Sequence, residues 1–425
     1  MIYFQQGSEN SSLTNDDLKK GLYTALDKIG KRKKVLAVPP DFTRFHSKAG
    51  ILTHYSYLYY KNILADILPA LGTHTPMSGN EIKEMYKDVP ENLFRVHDWR
   101  NDVVTAGIVP GEFVEEITDG AVNYPWPAQL NKLIWEGGHD LILSIGQVVP
   151  HEVIGMANYN KNLFVGTGGA EGINKSHFIG AVYGMEKLMG RADNPVRKLL
   201  NYASEHFIAH LPVVYVQTVV GRDDSGKLVT RGIFIGDDEE VFLKAADLSL
   251  KVNFTMLEVP VKKAVVYLDP GEFKSTWLGN KSIYRTRMVM ANGGELLVLA
   301  PGLKEFGEDK EIDRLIRKYG YRGTDAILKA TEQNEELKNN LGAAAHLIHG
   351  SSEGRFNIIY SPGKLSREKI EGVGFNYAPL NEMMKLYNPE RLKEGYNRLP
   401  GGEVIYYISN PALGLWAYDK RFNQN

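Results

Sequence analysis

The stretch Asp140-Leu-Ile-Leu-Ser-Ile-Gly146 decides how we interpret the fold, because a short apolar run between turn residues is typical of a buried parallel strand. Three residues able to bind metals, move protons or form adducts follow it: His151, Lys161 and His177. Open α/β sheets bind ligands beyond the carboxyl ends of their strands, which is where this prediction places His151. The many glycines after it suit tight turns and backbone that passes close to a ligand. We therefore expect a ligand site here.

The composition of the chain predicts two or three globular domains. It has 425 residues, 43% of them hydrophobic. Lys plus Arg number 50 and Asp plus Glu 51, so no overall electrostatic field favours binding to nucleic acid or to a membrane. We expect a small-molecule partner, and association of the chain with copies of itself stays an open alternative. The absence of cysteine excludes disulfides, thiolate zinc sites and thiol nucleophiles, and it fits a cytoplasmic location. No apolar run reaches the roughly 18 residues of a membrane span.

The order of the predicted elements favours an α/β class: two α/β domains with mainly parallel sheets and an active-site cleft between them. The Glu258-Val-Pro-Val-Lys262 segment is the candidate boundary, which gives an N-terminal domain over 9–258 and a C-terminal domain over 259–425. Residues 1–8 look like the remnant of a protease-cleavable tag and are left out of the fold prediction. Residues 51–71, rich in Tyr and Leu, predict one long helix.

A second polar segment, Asp41-Phe-Thr-Arg44, follows a strand predicted at Val35-Leu-Ala-Val38. Two interpretations are open: Asp41 caps the next helix, or Arg44 binds an anion at the carboxyl end of the strand. His74 lies on a loop with Gly72. Most histidines in loops are exposed or locally hydrogen-bonded, so a function for His74 is favoured only by the other candidate residues of the chain. His97 is interpreted as structural.

These residue types allow more than one chemistry. Two histidines can act as base and acid, and a third can bind a metal through a neutral nitrogen. Lys161 is either a surface side chain or an amine that forms a covalent adduct. Metal-assisted hydrolysis and a lyase or isomerase step on an acid both stay open, although no His-Glu-x-x-His motif supports a zinc hydrolase.

Several segments, in the same order along most of the chain, resemble the nickel-dependent lactate racemase family. They are Asp41-Phe-Thr-Arg44, Leu71-Gly-Thr-His74, Pro150-His151 with Lys161 ten residues later, and His177 sixteen residues beyond Lys161.

The resemblance implies a cofactor, the nickel-pincer nucleotide pyridinium-3-thioamide-5-thiocarboxylic acid mononucleotide. It implies that Lys161 carries this cofactor covalently and that His177 binds its nickel. Asp41 and Thr43 would also contact the cofactor. Enzymes of cofactor maturation would then be partners of the protein.

For the reaction, the resemblance implies a racemase or 2-epimerase of a 2-hydroxy acid that works by reversible hydride transfer. His74 and His151 match the pair of acid/base histidines, and Arg44 matches an arginine that engages the substrate. In the C-terminal domain, Trp277-Leu-Gly-Asn-Lys281 resembles the segment whose lysine binds the substrate carboxylate, which implies Lys281.

Two departures from the family pattern affect the substrate that we expect. Residues 152–160 are bulkier and more polar than the glycine-rich run of the family, and Leu278 stands where the family tends to have glutamine. Changed pocket residues favour a changed substrate, so we expect a larger acid such as an aldonate rather than lactate. The alternatives are a non-catalytic homologue that binds sugar acids and, less favoured, a hydrolase with a histidine-bound metal.

Overall fold

The computed structural model describes residues 1–223 and 225–424 and divides the chain into two compact units. The first unit comprises Met1–Ile179 and Leu188–Asn253, and the second comprises Gly180–Lys187 and Phe254–Asn425. Each unit has a six-stranded, mainly parallel sheet with helices, so the predicted α/β class is confirmed. The main change of unit, after residue 253, lies close to the boundary that we expected after residue 258.

Strands and helices alternate along the first unit. Its strands are β1 (Ile2–Gly7), β2 (Val35–Val38), β3 (Leu64–Ile67), β4 (Val103–Val109), β5 (Trp126–Asn131), β6 (Leu141–Gln147), β7 (Pro150–His151), β8 (Gly155–Met156), β9 (Val213–Arg222) and β10 (Leu228–Gly236). The helices up to residue 253 are α1 (Asn15–Ile29), α2 (Ala49–Tyr60), α3 (Gly79–Tyr86), α4 (Gly111–Ile117), α5 (Lys132–Glu136), α6 (Lys161–Phe164), α7 (Ala170–Tyr183), α8 (Met185–Leu188), α9 (Pro195–Phe207) and α10 (Glu239–Asn253).

The first sheet has the strand order β1-β10-β9-β6-β2-β3. Strands β9, β6, β2 and β3 pair in parallel, and β10 and β1 add to the β9 edge in antiparallel fashion. The strand that we predicted to be buried and parallel is β6, and it lies inside the sheet with every residue but its last buried. Because β3, β2 and β6 are parallel neighbours, the segments that follow them emerge at one edge of the sheet.

The expectation of one helix over 51–71 is wrong. Helix α2 ends at Tyr60, a 3-10 turn covers Lys61–Ile63, and β3 pairs in parallel with β2. The backbone of Lys61 has a φ of 49°, outside the helical region, and this ends α2. The run of Leu and Ile residues that suggested a continuing helix belongs instead to a buried strand.

Residues 2–7, which we left out of the fold prediction, form β1 and pair with β10. A segment of Tyr and Phe residues next to an open sheet edge can pair there whatever its origin. Its origin in a tag stays a prediction.

The second unit repeats the alternation. Its strands are β11 (Phe254–Leu257), β12 (Val261–Tyr267), β13 (Met290–Ala300), β14 (Asn357–Pro362), β15 (Asn376–Tyr377), β16 (Gly395–Arg398), β17 (Val404–Ile408) and β18 (Leu415–Tyr418). Its helices are α11 (Thr276–Gly279), α12 (Lys281–Tyr284), α13 (Lys310–Tyr319), α14 (Thr324–Gln333), α15 (Glu335–Lys338), α16 (Leu341–His349), α17 (Arg367–Gly372), α18 (Leu380–Leu386) and α19 (Asp419–Gln424). The sheet order is β15-β14-β13-β12-β17-β16, with only the β16–β17 pair antiparallel.

Across 1–223 and 225–424, no helix combines the length and the apolar character that a bilayer span requires.

The central position of β6 predicts a large effect of truncating its core side chains. Leu143 is fully buried, so Leu143→Ala should lower the free energy of unfolding by about 2–5 kcal/mol through lost burial and the cavity left behind. Urea denaturation checks this, with Leu58→Ala on the exposed side of α2 as a control that should change it by less than about 0.5 kcal/mol. A loss below about 1 kcal/mol for Leu143→Ala would contradict the central placement of β6.

Candidate active site

The candidate site lies at the edge of the first sheet where β3, β2 and β6 end. Asp41 and the 3-10 helix Phe42–Ser47 follow β2, while the loop with His74 follows β3. The backbone joins these segments: Ala70 N–H donates to the carbonyl of Pro39, and Gly72 N–H donates to the carbonyl of Gly166. The His74 loop is therefore held between the segment after β2 and the glycine-rich segment after Lys161.

Asp41 and His74 form a close pair. The Asp41 carboxylate lies 2.7 Å from Nδ1 of His74, and the hydroxyl of Thr43 donates to its other oxygen. Asp41 is 5% exposed, whereas 55% of the His74 side chain is exposed. Burial acts to raise the pKa of Asp41, but the hydrogen bonds from His74 and Thr43 and the charge of Arg44 outweigh it and lower that pKa.

The structure excludes one of the two interpretations of the segment Asp41-Phe-Thr-Arg44. Asp41 stands at the start of the 3-10 helix, yet its side chain makes no capping hydrogen bond, so it does not cap that helix. Both of its oxygens are engaged by residues that we expected at the cofactor or the substrate. With a proton on Nδ1 directed to Asp41, His74 keeps the lone pair of Nε2, as a general base requires.

His151 has the opposite tautomer. It lies in β7 and is 7% exposed, and its Nδ1 accepts a hydrogen bond from the backbone N–H of Val153 at 3.1 Å. The proton of the neutral ring is therefore on Nε2. Burial lowers the pKa of His151 well below its usual range; the positive charges of Lys161 and Arg44 add to this, while Glu152 opposes it. His151 consequently presents an N–H donor.

Lys161 begins α6 in a recessed position. Its neighbour Asn162 fixes the helix by donating to the carbonyl of Val38, the last residue of β2, at 2.8 Å and to the hydroxyl of Ser144, in the middle of β6, at 3.1 Å. Burial lowers the pKa of Lys161 to about 8, with a further contribution from the charge of Arg44. A substantial fraction of the amine is then uncharged near neutral pH, as nucleophilic attack requires.

His177 lies on α7 and is oriented by its own helix. Its Nδ1 lies 2.7 Å from the carbonyl of Ile173, one turn earlier, so the proton is on Nδ1. Burial lowers the pKa of His177 to about 4 despite this bond, and the charge of Lys161 contributes. A neutral ring whose N–H is held by a carbonyl and whose Nε2 lone pair is unprotonated is the arrangement that metal-binding histidines adopt.

The glycine-rich segment after α6 is packed so tightly that side chains are excluded. A Cβ on Gly168 would lie 1.9 Å from the carbonyl oxygen of Phe164. The buried ring of His97 bonds to the Gly168 carbonyl at 3.0 Å and to the side chain of Asn131 at 3.0 Å. His97 thus supports this turn, in line with the structural role that we assigned to it.

The electrostatic couplings show which predicted residues the fold brings together. The charge of Lys161 acts on His151 and His177, and that of Arg44 acts on Asp41, His151 and Lys161. Lys281 belongs to the second unit, where it opens α12 with its Nζ 5.9 Å from the ring centre of Phe273. Across the described ranges, no group of three or more His, Asp or Glu residues could hold a metal ion by itself.

The sequence reasoning missed Glu152. Its carboxylate is 3.9 Å from Nδ1 of His151, and its charge raises the pKa values of His151, Lys161 and His177 against the effect of burial. Its place directly after His151 was the available signal, but we treated it as part of a run that was merely polar.

The same run has an uncommon backbone. Asn158 and Tyr159 have φ values of 67° and 58°, in the left-handed region that costs a residue with a Cβ about 1–2 kcal/mol. Two such residues in succession, between His151 and Lys161, require restraint from their surroundings.

Comparison with known proteins gives a fold likeness. No protein-family model matches the chain, and no curated protein is a significant match. A structural-genomics crystal structure of a protein from Thermotoga maritima is similar, with 25% identity and a TM-score of 0.80 over 97% of this chain and 99% of that one. The lactate racemase apoprotein from Thermoanaerobacterium thermosaccharolyticum has 18% identity and a TM-score of 0.71 over 98% of this chain and 94% of that one. The chain therefore has a lactate racemase-like fold.

The lowered pKa of Lys161 predicts selective chemical reactivity. With a pKa near 8, Lys161 has a much larger uncharged fraction at pH 8 than a solvated lysine, so a small acylating reagent should modify it about tenfold or more faster than Lys244, whose side chain is 41% exposed. Peptide mass spectrometry resolves the two sites. Equal rates at Lys161 and Lys244 across pH 7–9 would contradict the recessed, desolvated position of Lys161.

Proposed function

We propose that this protein is a racemase or 2-epimerase of a 2-hydroxy acid that uses a nickel-pincer nucleotide carried on Lys161. The observation that carries the proposal is the convergence of Lys161, His177, His151 and Arg44, paired with the Asp41–His74 contact, on a lactate racemase-like fold.

The residues present fit such a cofactor. Lys161 offers an amine that is uncharged often enough to form an amide-type bond, and His177 offers one nitrogen ligand of fixed orientation. Held by Lys161 and His177, the cofactor would supply reversible hydride transfer at C2 of the substrate. A basic, recessed environment with Arg44 and Lys161 suits an anionic nucleotide and a substrate carboxylate.

Side chains of the protein would transfer the hydroxyl proton and orient the substrate. His74, held by Asp41 with its Nε2 lone pair available, takes the hydroxyl proton of the substrate. His151 donates a hydrogen bond from its Nε2–H to the substrate oxygen and keeps that proton, and the N–H of Val153 holds the ring in this tautomer. Arg44 binds the carboxylate so that only the reacting carbon turns over.

The substrate class follows from the polar run after His151. Glu152 can accept hydrogen bonds from additional hydroxyl groups, and lactate has none beyond the one at C2. We therefore propose an aldonate or similar polyhydroxy acid.

Isotope labelling tests the reaction. Protein produced together with the cofactor-maturation enzymes should invert C2 of a 2-deuterated aldonate with most of the deuterium retained, because the hydride returns to the same carbon. Wash-out of the label into water would instead indicate proton abstraction. A chain that stays unmodified at Lys161 yet binds aldonates would indicate the non-catalytic homologue, and a colourless zinc-containing sample that hydrolyses esters would indicate the hydrolase.

Substitutions test the assigned roles. Lys161→Ala should abolish inversion and the cofactor adduct in the intact mass, whereas Lys244→Ala on the exposed face of α10 should leave both unchanged. His74→Asn should lower kcat by about 10²–10⁴ with the adduct retained. His206→Asn, at an exposed position, is its matched control. A His74→Asn protein with full kcat would contradict the role of His74.

A further inference from the structure

Residues 154–160, here called the lysine loop, connect His151 to Lys161 through the two left-handed residues Asn158 and Tyr159. The start of the loop packs closely against the backbone of Arg191. Gly155 has a φ of +70°, and a Cβ at this position would lie 2.0 Å from the carbonyl oxygen of Arg191. The loop therefore meets the segment before α9 at one end and begins α6 at the other. Such a backbone keeps its shape only where neighbouring groups fix it.

Helix α9 supplies those groups from one polar face, formed by Asn194, Arg197, Asn201 and Ser204. Their spacing of three or four residues places them on the same side of the helix. Asn194, the N-cap residue, donates to the carbonyl of Ile154 at 3.0 Å. Asn201 and Ser204 accept from the side-chain amide of Asn160 at 2.7 and 3.1 Å.

Arg197 makes the central contacts. It is 1% exposed, and its guanidinium donates to the carbonyl of Met156 at 2.7 Å, to the carbonyl of Asn158 at 3.4 Å and to the side-chain oxygen of Asn160. These acceptors are every second residue of the lysine loop. A planar fork of N–H groups can reach them together, which a lysine ammonium cannot do with the same geometry.

Aromatic rings complete the site of the guanidinium. The Cζ atom of Arg197 lies 4.2 Å from the ring centre of Phe242 and 5.6 Å from the ring centre of Tyr159, and these two rings stack on each other. Burying a cation costs free energy unless hydrogen bonds and aromatic rings compensate for the lost water. The carbonyls of the lysine loop therefore hold the guanidinium of Arg197 in place, and the guanidinium in turn restrains the backbone of the loop.

We propose that Arg197, with the polar face of α9, is the positioning residue that holds the lysine loop in its left-handed conformation and thereby keeps the Lys161 amine in its recessed place. The inference rests on the proposed function only for the importance of Lys161. It is tested on the full chain without cofactor, so a failure of the racemase assay leaves it intact and its own failure leaves that assay intact.

Amide hydrogen exchange gives the first test. Arg197→Met should raise exchange at least tenfold in peptides covering residues 154–164, with strand β6 unchanged. Arg197→Lys, which keeps the charge but loses the fork, should show a smaller rise in the same peptides and serves alone if the methionine variant does not fold. The control Arg231→Met removes an arginine that donates to the carbonyls of Ser11 and Arg222, away from the loop. Unchanged exchange in the loop, or a uniform rise over the whole unit, would overturn the proposal.

The pH profile of Lys161 acylation gives a second test that a merely structural role would not affect. In the wild-type protein the midpoint should lie near pH 8. In Arg197→Met it should move upward, because an opened loop rehydrates the ammonium group and a neighbouring positive charge is gone. A midpoint that stays near 8 in a folded Arg197→Met protein would show that the arginine does not position Lys161.

Discussion

The parallel pairing of β2 with both β3 and β6 is the constraint on which the candidate site depends. Because the three strands run in the same direction, the segments that carry Asp41, His74 and His151 all leave the sheet at one edge. Asn162 then holds helix α6 against the sheet, because it donates to the carbonyl of Val38 at the end of β2 and to the hydroxyl of Ser144 within β6. Residues up to 120 positions apart in sequence thereby come under one another's electrostatic influence.

Fixed hydrogen-bond partners, two of them backbone groups and one a carboxylate, give the three histidines different tautomers. Asp41 and the Ile173 carbonyl place protons on Nδ1 of His74 and His177, whereas the Val153 N–H excludes a proton from Nδ1 of His151. Burial keeps His151 and His177 uncharged, and it also keeps part of the Lys161 amine uncharged. Imidazole nitrogens with a free lone pair, an imidazole N–H donor and a partly uncharged amine are thus predicted for the same part of the first unit.

Much of this organisation could be predicted from local sequence patterns. The apolar run of β6 and the alternation of strands and helices predicted the α/β class correctly. Long-range facts could not be read in this way. The end of α2 at Tyr60 depends on a backbone turn at Lys61 and on pairing with β2, and the Asp41–His74 contact joins two loops. The hydrogen bonds from Arg197 to the loop before Lys161 could not be predicted from the sequence, because an arginine in an amphipathic helix usually faces solvent.

The structure implies that fixed hydrogen-bond partners and burial determine where each histidine holds its proton. Measuring the tautomers of these histidines therefore tests the arrangement of the candidate site. Long-range ¹H–¹⁵N correlation spectra of protein with ¹⁵N-labelled histidine, assigned with single His→Asn variants, distinguish the two neutral forms and the cation. At pH 6.5 the account predicts a neutral His151 with its proton on Nε2 and a neutral His177 with its proton on Nδ1. A charged His151, or one with its proton on Nδ1, would contradict it.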